Sequence, residues 1–117
     1  MPYKPSDALL PLTPVAFEIL LALAEENLHG YAILQAVETR LGGLLPLRTG
    51  TLYRSLARLL EGELIGEVPG DATDERRRRY RITAHGRKVA AQEAARLEGQ
   101  VAAARDRRLL PARKLRP

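Results

Sequence analysis

The chain has 117 residues, which suits one compact domain, and 45% of them are hydrophobic, which is enough to build a core. Cysteine is absent, so disulfides, thiolate metal sites and a cysteine nucleophile are excluded, and imidazole can come only from His29 and His85. The net charge of +5 favours a polyanionic partner but leaves DNA, RNA and anionic lipid open.

No apolar stretch of the sequence approaches the roughly 20 residues needed to span a bilayer. Residues 1–11 also lack the apolar centre and small-residue cleavage pattern of a secretory signal. We therefore expect a cytoplasmic protein without a membrane partner. Three prolines within residues 1–12 predict an arm rather than a regular element.

Two helices are predicted in the first part of the chain. Thr13 followed by Pro14 is typical of a helix start, with a hydroxyl cap before a proline at the first helical position. The helix that follows, to Glu26, is apolar nearly all round, so we expect neighbours on every side of it. Residues 31–41 carry apolar side chains at spacings of three and four, which predicts a second helix ended by Gly42 and Gly43.

A third helix is predicted from about residue 50 to residue 61, with two chemically different sides. At 100° per residue its leucines cluster on one side, and these are Leu52, Leu56, Leu59 and Leu60. Thr51, Arg54 and Arg58 lie on the opposite side, with Ser55 at its margin. Arginine can bond guanine bidentately, and the backbone amides of the first turn can bind a phosphate. An ordinary solvated helix face remains the alternative.

A β-hairpin is predicted between residues 65 and 82, because the apolar period changes there from helical to two. Tyr80 and Ile82 are expected to point inward, and Arg77, Arg79 and Arg81 outward. The hairpin also carries a run of four arginines, namely Arg76, Arg77, Arg78 and Arg79. Phosphate contact explains this run best. The alternative is a salt-bridge cluster with the acidic residues just before it, which are Asp71, Asp74 and Glu75.

The last predicted helix begins after Thr83 and extends to about residue 110, where Pro111 stops it. Small apolar residues recur along it at spacings of four and three, namely Ala90, Ala94, Leu97, Val101 and Ala104. Such a seam lets another helix approach closely and predicts a homodimer. The alternative is that this helix folds back on the first helix of its own chain.

The order of these elements predicts a mainly α fold with a small β-hairpin, arranged as a winged helix-turn-helix. We expect a DNA-binding domain in residues 1–83 and a C-terminal dimerisation helix with a basic tail in residues 84–117. In such a fold the third helix enters the major groove of double-stranded DNA, and the hairpin, or wing, lies on the neighbouring backbone.

The sequence resembles the PadR-like family of bacterial transcriptional regulators over nearly its whole length. The matching segments are HGYAI at 29–33, GTLYRSL at 50–56 with Leu59, ELI at 63–65, and RYRIT at 79–83 with Gly86. The resemblance implies a DNA-binding homodimer, usually a repressor, with much of the dimer contact on the last helix. It also implies that Tyr53 contacts the DNA backbone, whereas helical geometry places Tyr53 close to Leu60 and allows a half-buried packing role.

We accordingly predict a transcriptional regulator in which Thr51, Arg54 and Arg58 read the major groove. Thr49 and Tyr53 are assigned to phosphates, and the arginines at 76–79 to the backbone or minor groove. Regulators of this architecture often respond to a small-molecule effector, but no residue cluster identifies one here.

No catalytic residue, metal or cofactor is predicted, because His29 has no partner at ligand spacing and the phosphate-cradling loop motif is missing. Three rival functions stay open: a winged-helix protein-interaction module without DNA binding, an enzyme of unrecognised type, and an RNA-binding protein. RNA binding is disfavoured because the chain has only five aromatic residues.

Overall fold

The computed structural model describes residues 11–44, 47–69 and 78–112, and within them lie four helices and a small antiparallel sheet. In chain order the elements are α1 (Pro14–Glu25), β1 (Leu28–His29), α2 (Gly30–Leu41), α3 (Thr49–Glu61), β2 (Ile65–Glu67), β3 (Arg79–Ile82) and α4 (Ala84–Asp106). The predicted mainly α, winged helix-turn-helix fold is confirmed. No helix in the described ranges is both long enough and apolar enough to cross a membrane.

Local sequence signals set the starts of two helices and the end of a third. The Thr13 hydroxyl accepts a hydrogen bond from the Ala16 amide at 3.1 Å, with Pro14 in the first turn of α1. The Thr83 hydroxyl caps α4 in the same way. Gly42 ends α2 in the left-handed conformation, with φ of 55°, which glycine adopts without steric cost.

Two features differ from the sequence-based expectations. β1 was not predicted, because a strand of two residues is too short to display a period of two. α4 ends at Asp106 rather than near residue 110. Arg108 there adopts φ of 61°, and the Leu109 amide donates to the Ala104 carbonyl at 2.9 Å, which closes the helix before Pro111 is reached.

The sheet has the strand order β1-β3-β2, and both neighbours run antiparallel to β3. Tyr80 pairs with Leu28 on one side and Glu67 on the other, and its side chain is buried. Arg79 and Arg81 are exposed, so the predicted inward and outward sides of β3 are confirmed.

α1 lies at the centre of the molecule and contacts α2, α3, α4 and β3. Ile19, Leu20 and Leu23 are at most 1% exposed, and they lie within about 100° of one another around the helix. Each such side chain stabilises the fold by about 1.5–3 kcal/mol through burial. Leu21 and Ala22 on another side are only partly buried and line a cleft, so the helix is not enclosed on every side as expected. Val89 of α4 is buried in the same cluster, so the division into residues 1–83 and 84–117 stays a prediction.

The start of α4 lies directly against the start of the hairpin. A Cβ atom placed on Gly86 would be 2.0 Å from the Leu64 carbonyl oxygen, closer than any side chain allows. The Thr83 hydroxyl also donates to the carbonyls of Glu63 and Leu64, at 2.8 and 3.0 Å. Glycine at position 86 is therefore required for the close approach of α4 to the link between α3 and β2.

We predict that Gly86→Ala lowers the free energy of unfolding by about 3 kcal/mol, because backbone must move to admit the methyl group. Gly99→Ala is the matched control, since a Cβ atom placed there would have no atom outside the helix backbone within 4 Å. The control should stabilise by about 1 kcal/mol through helix propensity. Urea denaturation of both variants measures the difference, and equal stabilities would contradict the close packing.

Candidate nucleic-acid interface

α3 separates a buried apolar side from an exposed polar side. Leu52, Leu56 and Leu59 are at most 2% exposed and belong to the core. Thr49, Arg54 and Arg58 are exposed, while Thr51 and Ser55 are partly exposed. The two sides predicted from the sequence are therefore present, and the polar side is not covered by the described part of the chain.

The first turn of α3 combines free backbone donors with a cation. Arg48 occupies the capping position without making a side-chain cap hydrogen bond, so the first amides of α3 have no side-chain acceptor among the described residues. The Arg54 guanidinium donates to the Thr51 hydroxyl at 3.3 Å and extends back over Gly50. Guanidinium, hydroxyl and helix-start amides thus lie together, which suits an anionic ligand.

A cleft of about 360 Å³ lies between the starts of α2 and α3. Its lining includes Tyr31, Thr49 and Tyr53. The Tyr53 hydroxyl would lie 3.1 Å from a Cβ atom on Gly30, so this half-buried ring packs against the start of α2. The packing role considered for Tyr53 is therefore present, and its contact with DNA stays a prediction.

Tyr31 was not singled out from the sequence as a site residue. Its side chain is 63% exposed at the mouth of this cleft, next to Thr49. The sequence gives no signal for this exposure, because the apolar spacing of α2 groups Tyr31 with Leu34 and Val37 on the expected core side.

The wing is described only in part, since Arg76 and Arg77 lie outside the described residues, as do Asp71, Asp74 and Glu75. Arg78 forms an ion pair with Glu67 at 3.3 Å, and both side chains are 44% exposed. Exposed pairs of this kind contribute about 0–1 kcal/mol, so Arg78 can exchange Glu67 for another anion at little cost. Arg79 is exposed on β3.

The small-residue seam of α4 is divided between two environments. Ala90 is partly buried against the core of its own chain, which agrees with the alternative that α4 packs on α1. Ala94 and Val101 are exposed, and Leu97 and Ala104 partly so. No α4 residue beyond Glu93 is buried, so the later turns of the helix are uncovered in the single chain.

The remaining polar features of the described residues provide no metal site. No three histidine or carboxylate residues of the described ranges lie close enough together to hold an ion. The Nδ1 atom of His29 is buried, and no described residue gives it a hydrogen-bond partner. A cleft of about 650 Å³ separates α1 from α2, and across it Arg40 donates to the Glu18 carboxylate at 2.8 Å. This hydrogen bond raises the pKa of Arg40.

Comparison with protein families shows that residues 19–92 match the family described as "Transcriptional regulator PadR-like family". The match covers more than half of the 117-residue chain. The chain belongs to the PadR-like family. The match includes α2, α3, the hairpin and the first turns of α4, and it ends just before Glu93. The resemblance that the sequence motifs indicated is confirmed.

Solved structures with similar folds include a transcriptional regulator from Clostridium thermocellum, with 28% identity, a TM-score of 0.68, and coverage of 79% of this chain and 87% of that one. A PadR family transcription regulator from Clostridium difficile has 20% identity, a TM-score of 0.69, and coverages of 80% and 97%. Bacillus subtilis PadR, in complex with operator DNA, has 22% identity, a TM-score of 0.59, and coverages of 70% and 47%. A search of curated proteins gives no match.

In this PadR-like chain the polar side of α3 borders a crevice of about 120 Å³ that leads towards α1. Ser55, Arg58 and Leu59 line it from α3, and residues 11–13 with Ala16 line it from α1 and the segment before it. The position of this segment beside the candidate site was not predicted from the sequence, because the two are more than 40 positions apart in the chain.

A buried carboxylate of α4 is hydrogen-bonded to the segment of residues 11–13. Glu93 of α4 is 1% exposed, and its Oε2 atom accepts a hydrogen bond from the Leu12 amide at 2.8 Å. The hydrogen bond from Arg96 lowers the pKa of Glu93, and the Leu12 amide adds to this effect, against the opposing effect of burial. The ionised carboxylate therefore stabilises the fold at neutral pH, and this contribution is lost as the pH falls through the lowered pKa.

Proposed function

We propose that this chain is a sequence-specific, double-stranded DNA-binding transcriptional repressor that works in the cytoplasm and is released by a small-molecule effector. The observation that carries the proposal is the exposed polar side of α3, with Arg54 and Arg58 opposite a fully buried leucine side. Membership of the PadR-like family supports it, as does the fold shared with Bacillus subtilis PadR, which is described in complex with operator DNA.

In this proposal α3 enters the major groove with its first turn leading. Arg54 reads a guanine through its N7 and O6 atoms, and Thr51 and Arg58 contact neighbouring base edges. Thr49 and the amides of the first turn bind a phosphate, and the Tyr53 hydroxyl donates a hydrogen bond to the DNA backbone. Because the ring of Tyr53 is held against Gly30, its hydroxyl reaches the DNA without a large loss of side-chain entropy.

The wing supplies sequence-independent affinity. Its four arginines, Arg76, Arg77, Arg78 and Arg79, neutralise phosphates or enter the minor groove. The pair between Arg78 and Glu67 opens on binding, since both groups are exposed.

The functional unit is a homodimer that forms through the later turns of α4. The later seam residues are all at least partly exposed in the single chain, namely Ala94, Leu97, Val101 and Ala104. The small side chain of Ala94 allows a close approach between helices. Half-sites one turn of DNA apart would require the two α3 helices of this dimer to lie about 34 Å apart across the two-fold axis.

We predict that Arg54→Ala weakens binding to a duplex selected from a random pool by about 1–3 kcal/mol and relaxes the preference at one base pair. Arg107→Ala is the matched control, because Arg107 is exposed at the far end of α4 and its side chain bonds only the Ala103 carbonyl within the described residues. Fluorescence anisotropy at fixed salt measures both. If the Arg54→Ala protein binds DNA as tightly and as selectively as the wild type, Arg54 does not belong to the DNA-binding site.

We predict that the double variant Arg77→Ala and Arg78→Ala weakens binding to specific and non-specific duplexes alike. The slope of log K against log salt should become shallower by about 0.9 for each phosphate that is no longer neutralised. Glu67→Ala serves as control, since it removes the partner of Arg78 but keeps both arginines, and it should bind at least as tightly as the wild type. A salt titration that gives the same slope for all three proteins would place the wing away from the DNA.

We predict that Val101→Glu weakens the dimer by at least about tenfold, equivalent to 1.4 kcal/mol, because two unpaired carboxylates would face each other across the axis. Ala95→Glu introduces the same charge at an exposed α4 position that lies nearly opposite the seam, and it should leave the dimer intact. Sedimentation equilibrium distinguishes the two variants. Dissociation by both, or by neither, would mean that the dimer contact lies elsewhere.

A further inference from the structure

A single buried carboxylate joins α4 to the segment that borders the polar side of α3. Both oxygens of Glu93 are engaged: Oε2 accepts from the Leu12 amide and Oε1 accepts from the Arg96 side chain. Glu93 is the last buried residue of α4, so this joint lies where the helix leaves the core and its uncovered turns begin.

The Leu12 segment lies next to α3. The Leu12 side chain is 7% exposed and packs in the core cluster that also contains Leu59. Across the crevice described above, the segment faces Ser55 and Arg58 on the polar side of α3. The same short segment is therefore held by α4 through its backbone and lies beside α3, with its Leu12 side chain in the core cluster that contains Leu59.

An apolar residue could occupy this buried position of α4 without the desolvation cost that a carboxylate carries. The advantage of a carboxylate is that its hydrogen bonds are directional. They fix the positions of the two donors, one backbone amide and one guanidinium. Glu18 offers an internal comparison, since it is also a buried carboxylate bonded to an arginine. Its partner Arg40 is on α2, and Glu18 lies about 200° around α1 from Ala16, away from the crevice.

We propose that Glu93 is a positioning residue for the DNA-binding face: by holding the Leu12 amide it sets the place of Arg58 and Ser55. The inference rests on the proposed function. It follows that a shift of α4 at Glu93, where its uncovered turns begin, is passed to the Leu12 segment beside α3 through this hydrogen bond.

The test compares Glu93→Ala, Glu93→Gln and the control Glu18→Ala at a temperature where circular dichroism finds each protein folded. Glu93→Leu replaces Glu93→Ala if the latter does not fold, since leucine fills the buried volume without an acceptor. The first readout uses the free protein, through NMR amide shifts and hydrogen exchange in residues 12–16 and 55–59. The second readout is the affinity for the selected duplex relative to a random duplex.

We expect Glu93→Ala to shift amides in both segments and to lower the relative affinity for the selected duplex about tenfold, as displacement of one base-reading side chain would. Glu93→Gln should stay close to the wild type in both readouts, because its amide oxygen still accepts from Leu12, while the Arg96 side chain, which is 41% exposed, can turn to solvent away from the new NH2 group. Glu18→Ala should leave residues 55–59 and the relative affinity unchanged, however much it destabilises the fold.

The proposal is overturned if the Glu93→Ala or Glu93→Leu protein keeps the wild-type signals of residues 55–59. It is equally overturned if its relative affinity falls no further than that of Glu18→Ala, or if Glu93→Gln behaves like Glu93→Ala. A wild-type protein that binds no duplex would refute the proposed function instead, and the NMR comparison would then still decide whether Glu93 positions α3.

Discussion

Burying the apolar residues of α1 requires neighbours on most of its sides, because apolar side chains left in water cost the fold its main stabilising term. α2, α3, α4 and β3 supply these neighbours. For α3 the consequence is direct, since its leucine side is committed to the core and only its polar side is left outside. The exposed cations of the candidate interface thus follow from how the centre of the molecule is covered.

Polar contacts set the relative positions of elements that the hydrophobic effect alone would leave free to slide. Thr83 and Gly86 join the start of α4 to the carbonyls that precede β2, and the absence of a side chain at Gly86 allows that contact. Glu18 joins α1 to α2 through Arg40, and Glu93 joins α4 to the Leu12 segment. Each contact fixes a direction as well as a distance, because a hydrogen bond weakens steeply when it is bent.

α4 combines two tasks along its length. Its first turns belong to the core, through Val89 and Ala90, and its later turns carry apolar side chains that the single chain does not cover. A helix of 23 residues is about 35 Å long at 1.5 Å per residue, which exceeds what so small a core can cover. The dimer that we propose and the placement of α3 therefore share one rigid element, with Glu93 at the boundary between its two parts.

The sequence by itself determined the elements whose signals are local. The Thr13–Pro14 start, the Gly42 end, the two sides of α3 and the alternation around Tyr80 all lie within a few residues, and the motifs between residues 29 and 86 indicated the PadR-like family. These signals depend on backbone preference and on the period of apolar residues, which neighbouring positions define completely.

Only the tertiary structure decided the features that join distant parts of the chain. β1 exists because β3 offers it a partner, and the packing of Tyr53 depends on the missing side chain of Gly30. The joint between Glu93 and Leu12 connects residues 81 positions apart, and nothing near either residue in the sequence indicates the other. Such contacts depend on how the helices cross, and the crossing follows from packing of the whole core rather than from any local pattern.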